Sequence, residues 1–210
     1  MHERLATRER GFAMTKKCIE MRWHGRGGQG AVTAAMIMAE AAYYEGYRGV
    51  TAAPFFGAER RGAPIIATTR FGREPIRTFS LVEQPDIVVV LDETLLRVVD
   101  VSAGVGPEGI VIINSAKEPG AIRLKNAVNV ATTNATEWAK EAGLIISGAV
   151  IFNTAILGGV ARATGLISLE SIEKALRNHF PGKAGERNVE GARAAYAGTS
   201  ILQECKLACA

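Results

Sequence analysis

Two kinds of hydrophobic pattern alternate along this chain. Short runs that are apolar throughout stand between longer stretches with apolar residues at helical spacing. The clearest short run is Asp86-Ile87-Val88-Val89-Val90-Leu91-Asp92, and Ile110-Val111-Ile112-Ile113-Asn114 and the shorter Val128 to Ala131 are of the same kind. Strands apolar on both faces belong to a parallel sheet covered on both sides. Ile19 to His24 predicts a first strand, and the alternating, β-branched Ile65 to Phe71 predicts another. Ile76 to Leu81 reads as the hairpin partner of the latter across Gly72-Arg73-Glu74-Pro75, and Gly49 to Pro64 as a loop with local extended structure.

Helical spacing predicts a first helix over Gln29 to Glu45 and a short one over Glu93 to Asp100. Thr133 or Asn134 is the N-cap of a helix running to about Ala142. Beyond residue 145 the pattern turns helical. One helix is expected over Ala149 to Ala163, ended near Gly165. Another runs from Ser168 to Phe180 before Pro181-Gly182, and a last one from Ala184 to Cys205, with a break at Gly198. The fold class is therefore α/β: a Rossmann-like, mostly parallel sheet with helices on both faces and a helical C-terminal layer. Residues 18–205 are expected as a single domain. Residues 1–17 are charged and lack the apolar core of a secretory signal. With Met14 just ahead of the first strand, they read either as a disordered extension or as a misassigned start.

Composition agrees with buried parallel strands and Ala-rich helices, since 48% of residues are hydrophobic but only 6% aromatic. A net charge of +4 fits attraction to anionic small molecules or an acidic partner. No dense Lys/Arg stripe with interleaved aromatics points to nucleic acid. The most apolar window, Ile145 to Val160, is broken by Ser147, Gly148, Asn153, Gly158 and Gly159, so no membrane span is expected. Cys18, Cys205 and Cys209 form no C-x-x-C pair, and an iron–sulfur cluster usually needs four thiolates. They read as reduced thiols of a cytoplasmic protein, with no metal set on this chain.

The chemistry-bearing stretch is Trp23-His24-Gly25-Arg26-Gly27-Gly28-Gln29-Gly30, between the first strand and the first helix. Gly25, Gly27 and Gly30 have the spacing G-x-G-x-x-G in the right context. Such a turn lets backbone N–H groups approach an anion, and the helix start adds its unpaired N–H groups and positive dipole end. The same glycines also suit a tight crossover that holds no ligand. His24, at a strand end, reads as structural, with acid–base work as the alternative. A nicotinamide site would need an acid about twenty residues on, at the end of the second strand. Gly49-Val50-Thr51-Ala52-Ala53-Pro54-Phe55-Phe56 has none, which argues against a free-standing dehydrogenase. A second loop, Phe55 to Pro64, carries Arg60 and Arg61. Paired arginines grip phosphate or carboxylate, or carry an interface; the plain alternative is a charged turn paired to Glu59.

On the stretches Arg22 to Ala31 and Glu59-Arg60-Arg61-Gly62-Ala63-Pro64, the chain resembles the gamma subunits of 2-oxoacid:ferredoxin oxidoreductases, most closely the pyruvate type. Asp86 to Asp92 and Asn153 to Gly158 support the resemblance, which covers about Cys18 to Tyr196. It implies a complex that oxidatively decarboxylates a 2-oxoacid with CoA to acyl-CoA and CO2. Alpha-, beta- and delta-type partner subunits would carry thiamine diphosphate, magnesium and [4Fe-4S] clusters, and ferredoxin would take the electrons. This chain alone would not be catalytic. It would shape CoA access and pack on the catalytic subunits. CoA contact is then expected at Gly25, Arg26, Gly27, Gly28, Gln29 and Gly30. Arg60 and Arg61 would either bind CoA phosphates or dock a catalytic subunit. Ala58 stands where the family often has proline, and Phe56-Gly57 where it often has Tyr-Gly, so the 2-oxoacid stays open. Aryl 2-oxoacid enzymes, for phenylglyoxylate or indolepyruvate, share the subunit type. A stand-alone nucleotide- or CoA-binding protein is the reading outside this family.

Overall fold

The computed structural model describes residues 18–55, 62–126 and 128–202. Its main sheet has seven strands: β1 (Cys18–Arg26), β2 (Gly49–Phe55), β3 (Pro64–Gly72), β4 (Ile87–Val90), β5 (Ile110–Asn114), β6 (Asn129–Thr133) and β9 (Ser200–Leu202). Their order is β2-β3-β1-β4-β5-β6-β9. β1, β4, β5 and β6 pair in parallel, while β3 is antiparallel to both β1 and β2, and β9 to β6. Five strands thus share one direction, as a mostly parallel sheet requires. β7 (Ile145–Ile146) and β8 (Ala149–Val150) form a separate small hairpin.

Five α-helices accompany these strands among the described residues: α1 (Ala31–Glu45), α2 (Ala135–Glu141), α3 (Ala155–Thr164), α4 (Leu169–His179) and α5 (Lys183–Ala197). Sheet residues alternate between two cores. Ile87, Val89, Ile110 and Ile112 pack with apolar residues of all five helices. Val88, Val90, Val111 and Ile113 pack with Leu95, Val101 and Ile122. This second face is covered by a 3-10 turn, Glu93–Arg97, and by loops in place of α-helices. The connections around β5 carry Gly104, Gly106, Pro107, Gly109, Pro119 and Gly120, residues that break helices before they can nucleate.

Several sequence expectations shift in the same way. Ile76 to Leu81 forms no strand; the hairpin partner of β3 is β2, inside the stretch read as a loop. The helix expected from Ala149 starts at Ala155, because Ser147 and Gly148, both at positive φ, close the β7–β8 hairpin first. The last helix ends at Ala197, and Ser200–Leu202 is an antiparallel edge strand; Cys205 and Cys209 lie outside the described residues. The helix expected over Glu93 to Asp100 is the 3-10 turn, which begins on Asp92 as its cap.

Two devices fix the helices on the sheet. Trp23 Nε1 on β1 donates to Thr69 Oγ1 on β3 (3.0 Å), which in turn donates to the Ala35 carbonyl on α1 (2.9 Å), so a buried polar line crosses three elements. Within the same helical layer α3 and α5 touch backbone to backbone. A Cβ at Gly158 would lie 1.8 Å from the Ala192 carbonyl oxygen. Gly158→Ala must therefore push the two helices apart, and we expect it to cost about 2 kcal/mol or more, read as a shift of the urea unfolding midpoint.

Candidate functional site

The chain leaves β1 through α1, builds β2 and β3 on one side, and returns to build β4 on the other. The carboxyl ends of β1 and β4 thus flank the switch point of the sheet, where open α/β folds form their binding crevice. The glycine loop lies there. Gly28, exposed, and Gly30 have φ of 93° and 77°, the left-handed region that favours glycine. Gly30 is the N-cap of the 15-residue α1 and brings no side-chain acceptor to its first-turn N–H groups. No acid lies in that first turn. The site therefore offers backbone donors and a positive helix end to an anion.

The two loops singled out in the sequence meet here. Gly27 N donates to the Ala63 carbonyl (2.9 Å), and Gly62 N donates to the Gly27 carbonyl (3.1 Å). Arg60 and Arg61 lie outside the described residues, but Gly62 places the end of their loop against the glycine loop. Arg26 is engaged within the protein. Its Nε donates to Asp92 Oδ2 (3.0 Å), and its terminal nitrogens reach the Gly62 carbonyl (3.1 Å) and Thr94 Oγ1 (2.8 Å). Gln29 is likewise committed: Oε1 accepts from Arg26 N (2.8 Å), and Nε2 donates to Asp92 Oδ2 (2.9 Å). Gly25 is boxed in, with Ala31 and Leu91 each just over 3 Å from where its Cβ would stand. Arg26 and Gln29 thus brace the loop, and Gly28 is its exposed residue.

Asp92 is the residue that joins these groups, and the sequence reading gave it no role beyond the end of a strand. It also caps the 3-10 turn, accepting from Thr94 N (2.9 Å) and Thr94 Oγ1 (2.6 Å). Burial alone would raise its carboxyl, but hydrogen bonds from Thr94, Gln29 and Arg26 together hold it below the ordinary carboxylate range. The signal was present as an acid directly after a strand apolar on both faces.

His24 is structural. It is buried, and its Nε2 accepts from Arg22 Nε (3.1 Å). The buried Arg22 guanidinium is otherwise held by the carbonyls of Val82, Val101 and Ala103. Burial first, and the Arg22 charge second, push the His24 imidazole down to about 4. A cleft of about 490 Å³ lined by Glu45, Arg48, Arg73 and Leu166 lies at the far end of α1, away from every one of these residues. Among the described residues, no group of three His, Cys, Asp or Glu side chains is placed to hold a metal ion, and no helix is long and apolar enough to cross a membrane.

The model of the pyruvate ferredoxin/flavodoxin oxidoreductase family matches residues 20–198. The chain belongs to this family. It is 52% identical over 188 residues to the "Pyruvate/ketoisovalerate oxidoreductases common subunit gamma" of Pyrococcus furiosus, covering 88% of this chain and 99% of that one. The crystal structure of pyruvate oxidoreductase subunit PORC from Thermotoga maritima superposes with a TM-score of 0.76 at 36% identity, covering 89% of this chain and 99% of that one. A 2-oxoglutarate:ferredoxin oxidoreductase from Magnetococcus marinus, solved with 2-oxoglutarate, coenzyme A and succinyl-CoA, shares the fold at 18% identity and a TM-score of 0.65. That match covers 91% of this chain and 32% of that one. The chain is a gamma-type subunit of a 2-oxoacid:ferredoxin oxidoreductase complex, as the sequence resemblance implied.

The depressed His24 sets a pH window. Unfolded histidine titrates near 6.5 and the folded group near 4, so between these values the unfolded chain binds the extra proton. Stability is full above pH 6.5 and falls as pH drops toward 4, by about 3 kcal/mol in total. Urea titrations at pH 7 and pH 4.5 should show this loss, and His24→Gln, which cannot titrate, should remove most of the difference.

Proposed function

We propose that this gamma subunit, with residues 18–205 as one module, holds a phosphate of CoA at the glycine loop. Gly28 and Gly30 and the start of α1 supply the donors, and Gly25, Arg26, Gly27 and Gln29 keep the loop in shape. Arg60 and Arg61, on the loop that Gly62 ties to Gly27, either add charge for CoA phosphates or dock the neighbouring catalytic subunit. The observation that carries this reading is the glycine-capped start of α1 at the β1–β4 switch point, braced by Asp92. The complexed CoA of the Magnetococcus marinus enzyme, which shares this fold, supports it.

The complex oxidises a 2-oxoacid with CoA to acyl-CoA and CO2. Alpha-, beta- and delta-type partners hold thiamine diphosphate, magnesium and [4Fe-4S] clusters, ferredoxin accepts the electrons, and the assembly works in the cytoplasm. The choice of 2-oxoacid rests with those partners. Support comes from the Pyrococcus furiosus relative, named as a subunit common to pyruvate and ketoisovalerate oxidoreductases.

The assembled complex provides the test. Arg26→Ala and Asp92→Asn each loosen the brace, and the KM for CoA should rise about tenfold while kcat at saturating CoA holds. An unchanged KM would remove the ligand role and leave a purely structural loop. Arg61→Ala separates its two roles: a raised KM assigns it to CoA, and loss of a partner subunit on gel filtration assigns it to docking.

A further inference from the structure

The polar segment that opens α3 reaches back to the glycine loop. Asn153 is 4% exposed, and its Nδ2 donates to the Gly30 carbonyl at 3.0 Å, across 123 residues of sequence. That carbonyl also accepts the first bond of α1, from Ala34 N (3.0 Å). The packing is close enough that a Cβ at position 30 would lie 2.4 Å from Asn153 Nδ2. The other end of the amide, Oδ1, is buried and has no hydrogen-bond partner. Turning the amide over would set its oxygen against the Gly30 carbonyl oxygen, two acceptors face to face with no proton between them. Its single bond is therefore the one to the loop. The next residue anchors the segment: Thr154 Oγ1 donates to Asn188 Oδ1 (2.5 Å), and Asn188 Nδ2 donates to the Ala184 carbonyl (2.8 Å). A buried polar line thus runs from the glycine loop through the start of α3 into α5.

We propose that Asn153 is a positioning residue of the CoA site, holding Gly30 in its left-handed conformation and so aiming the first-turn N–H groups of α1. The proposal rests on the CoA reading above. It adds a residue outside both glycine-rich motifs, and it makes the C-terminal helical layer part of the site.

The test uses the assembled complex with CoA itself. Asn153→Ala should raise the KM for CoA about three- to tenfold while kcat at saturating CoA stays within about twofold. Amide hydrogen exchange at residues 28–34 should quicken in the same variant. Asn153→Ser serves if the alanine chain fails to assemble. Gly30→Ala is expected to be severely impaired, and adding Asn153→Ala should not worsen it, because the 2.4 Å clash is then gone. A KM unchanged in Asn153→Ala but raised in Arg26→Ala overturns the proposal and leaves the CoA reading standing. A KM unchanged in both removes the CoA reading and the proposal with it. A fall in kcat with KM unchanged marks a merely structural residue and also overturns it.

Discussion

The Asp92 carboxylate is the interaction on which this site depends. Its two oxygens accept four hydrogen bonds, from Arg26, Gln29 and the backbone and hydroxyl of Thr94. One acid at the end of β4 thereby ties the end of β1, the glycine loop and the following 3-10 turn. Its side chain is 18% exposed, so its partners are screened less than those of a surface ion pair. A charge that would otherwise repel an anion is fully spent inside the protein, which leaves the positive end of α1 as the dominant field at the loop.

Beneath that brace the sheet keeps a second buried charge. Arg22 lies on β1 with neutral hydrogen-bond partners, three carbonyls and an imidazole, and with the Asp100 carboxylate as the opposite charge it feels. Those carbonyls belong to Val82, Val101 and Ala103, in the irregular segments before and after β4. The guanidinium therefore gives loops that lack regular structure a common anchor, and it does so directly below the strand end that carries the glycine loop.

Much of this was legible in the sequence. The continuous apolar runs gave β4 and β5 almost to the residue, and Asn134 and Ser168 act as the helix caps their side chains suggest. Misreadings fell where short apolar segments fit either period. Ile145 to Val150 is a hairpin because Ser147 and Gly148 turn the chain, and Ser200–Leu202 is a strand because Gly198 ends α5. The glycine loop and its role as a strand-to-helix junction could be read directly, since both depend on local spacing. The committed state of Arg26 and Gln29 could not, because Asp92 lies more than sixty residues away in sequence and only the parallel pairing of β1 with β4 brings it near.

The place of β3 has a further consequence. In a dinucleotide-binding sheet the second strand lies directly beside the first, and its terminal acid reaches the ribose. Here β3 is inserted antiparallel between β1 and β2, so the end of β2 stands two strand spacings, about 10 Å, from the glycine loop. The missing acid is thus no accident of composition that a point mutation repairs. The topology itself withdraws the strand end against which an adenosine would rest.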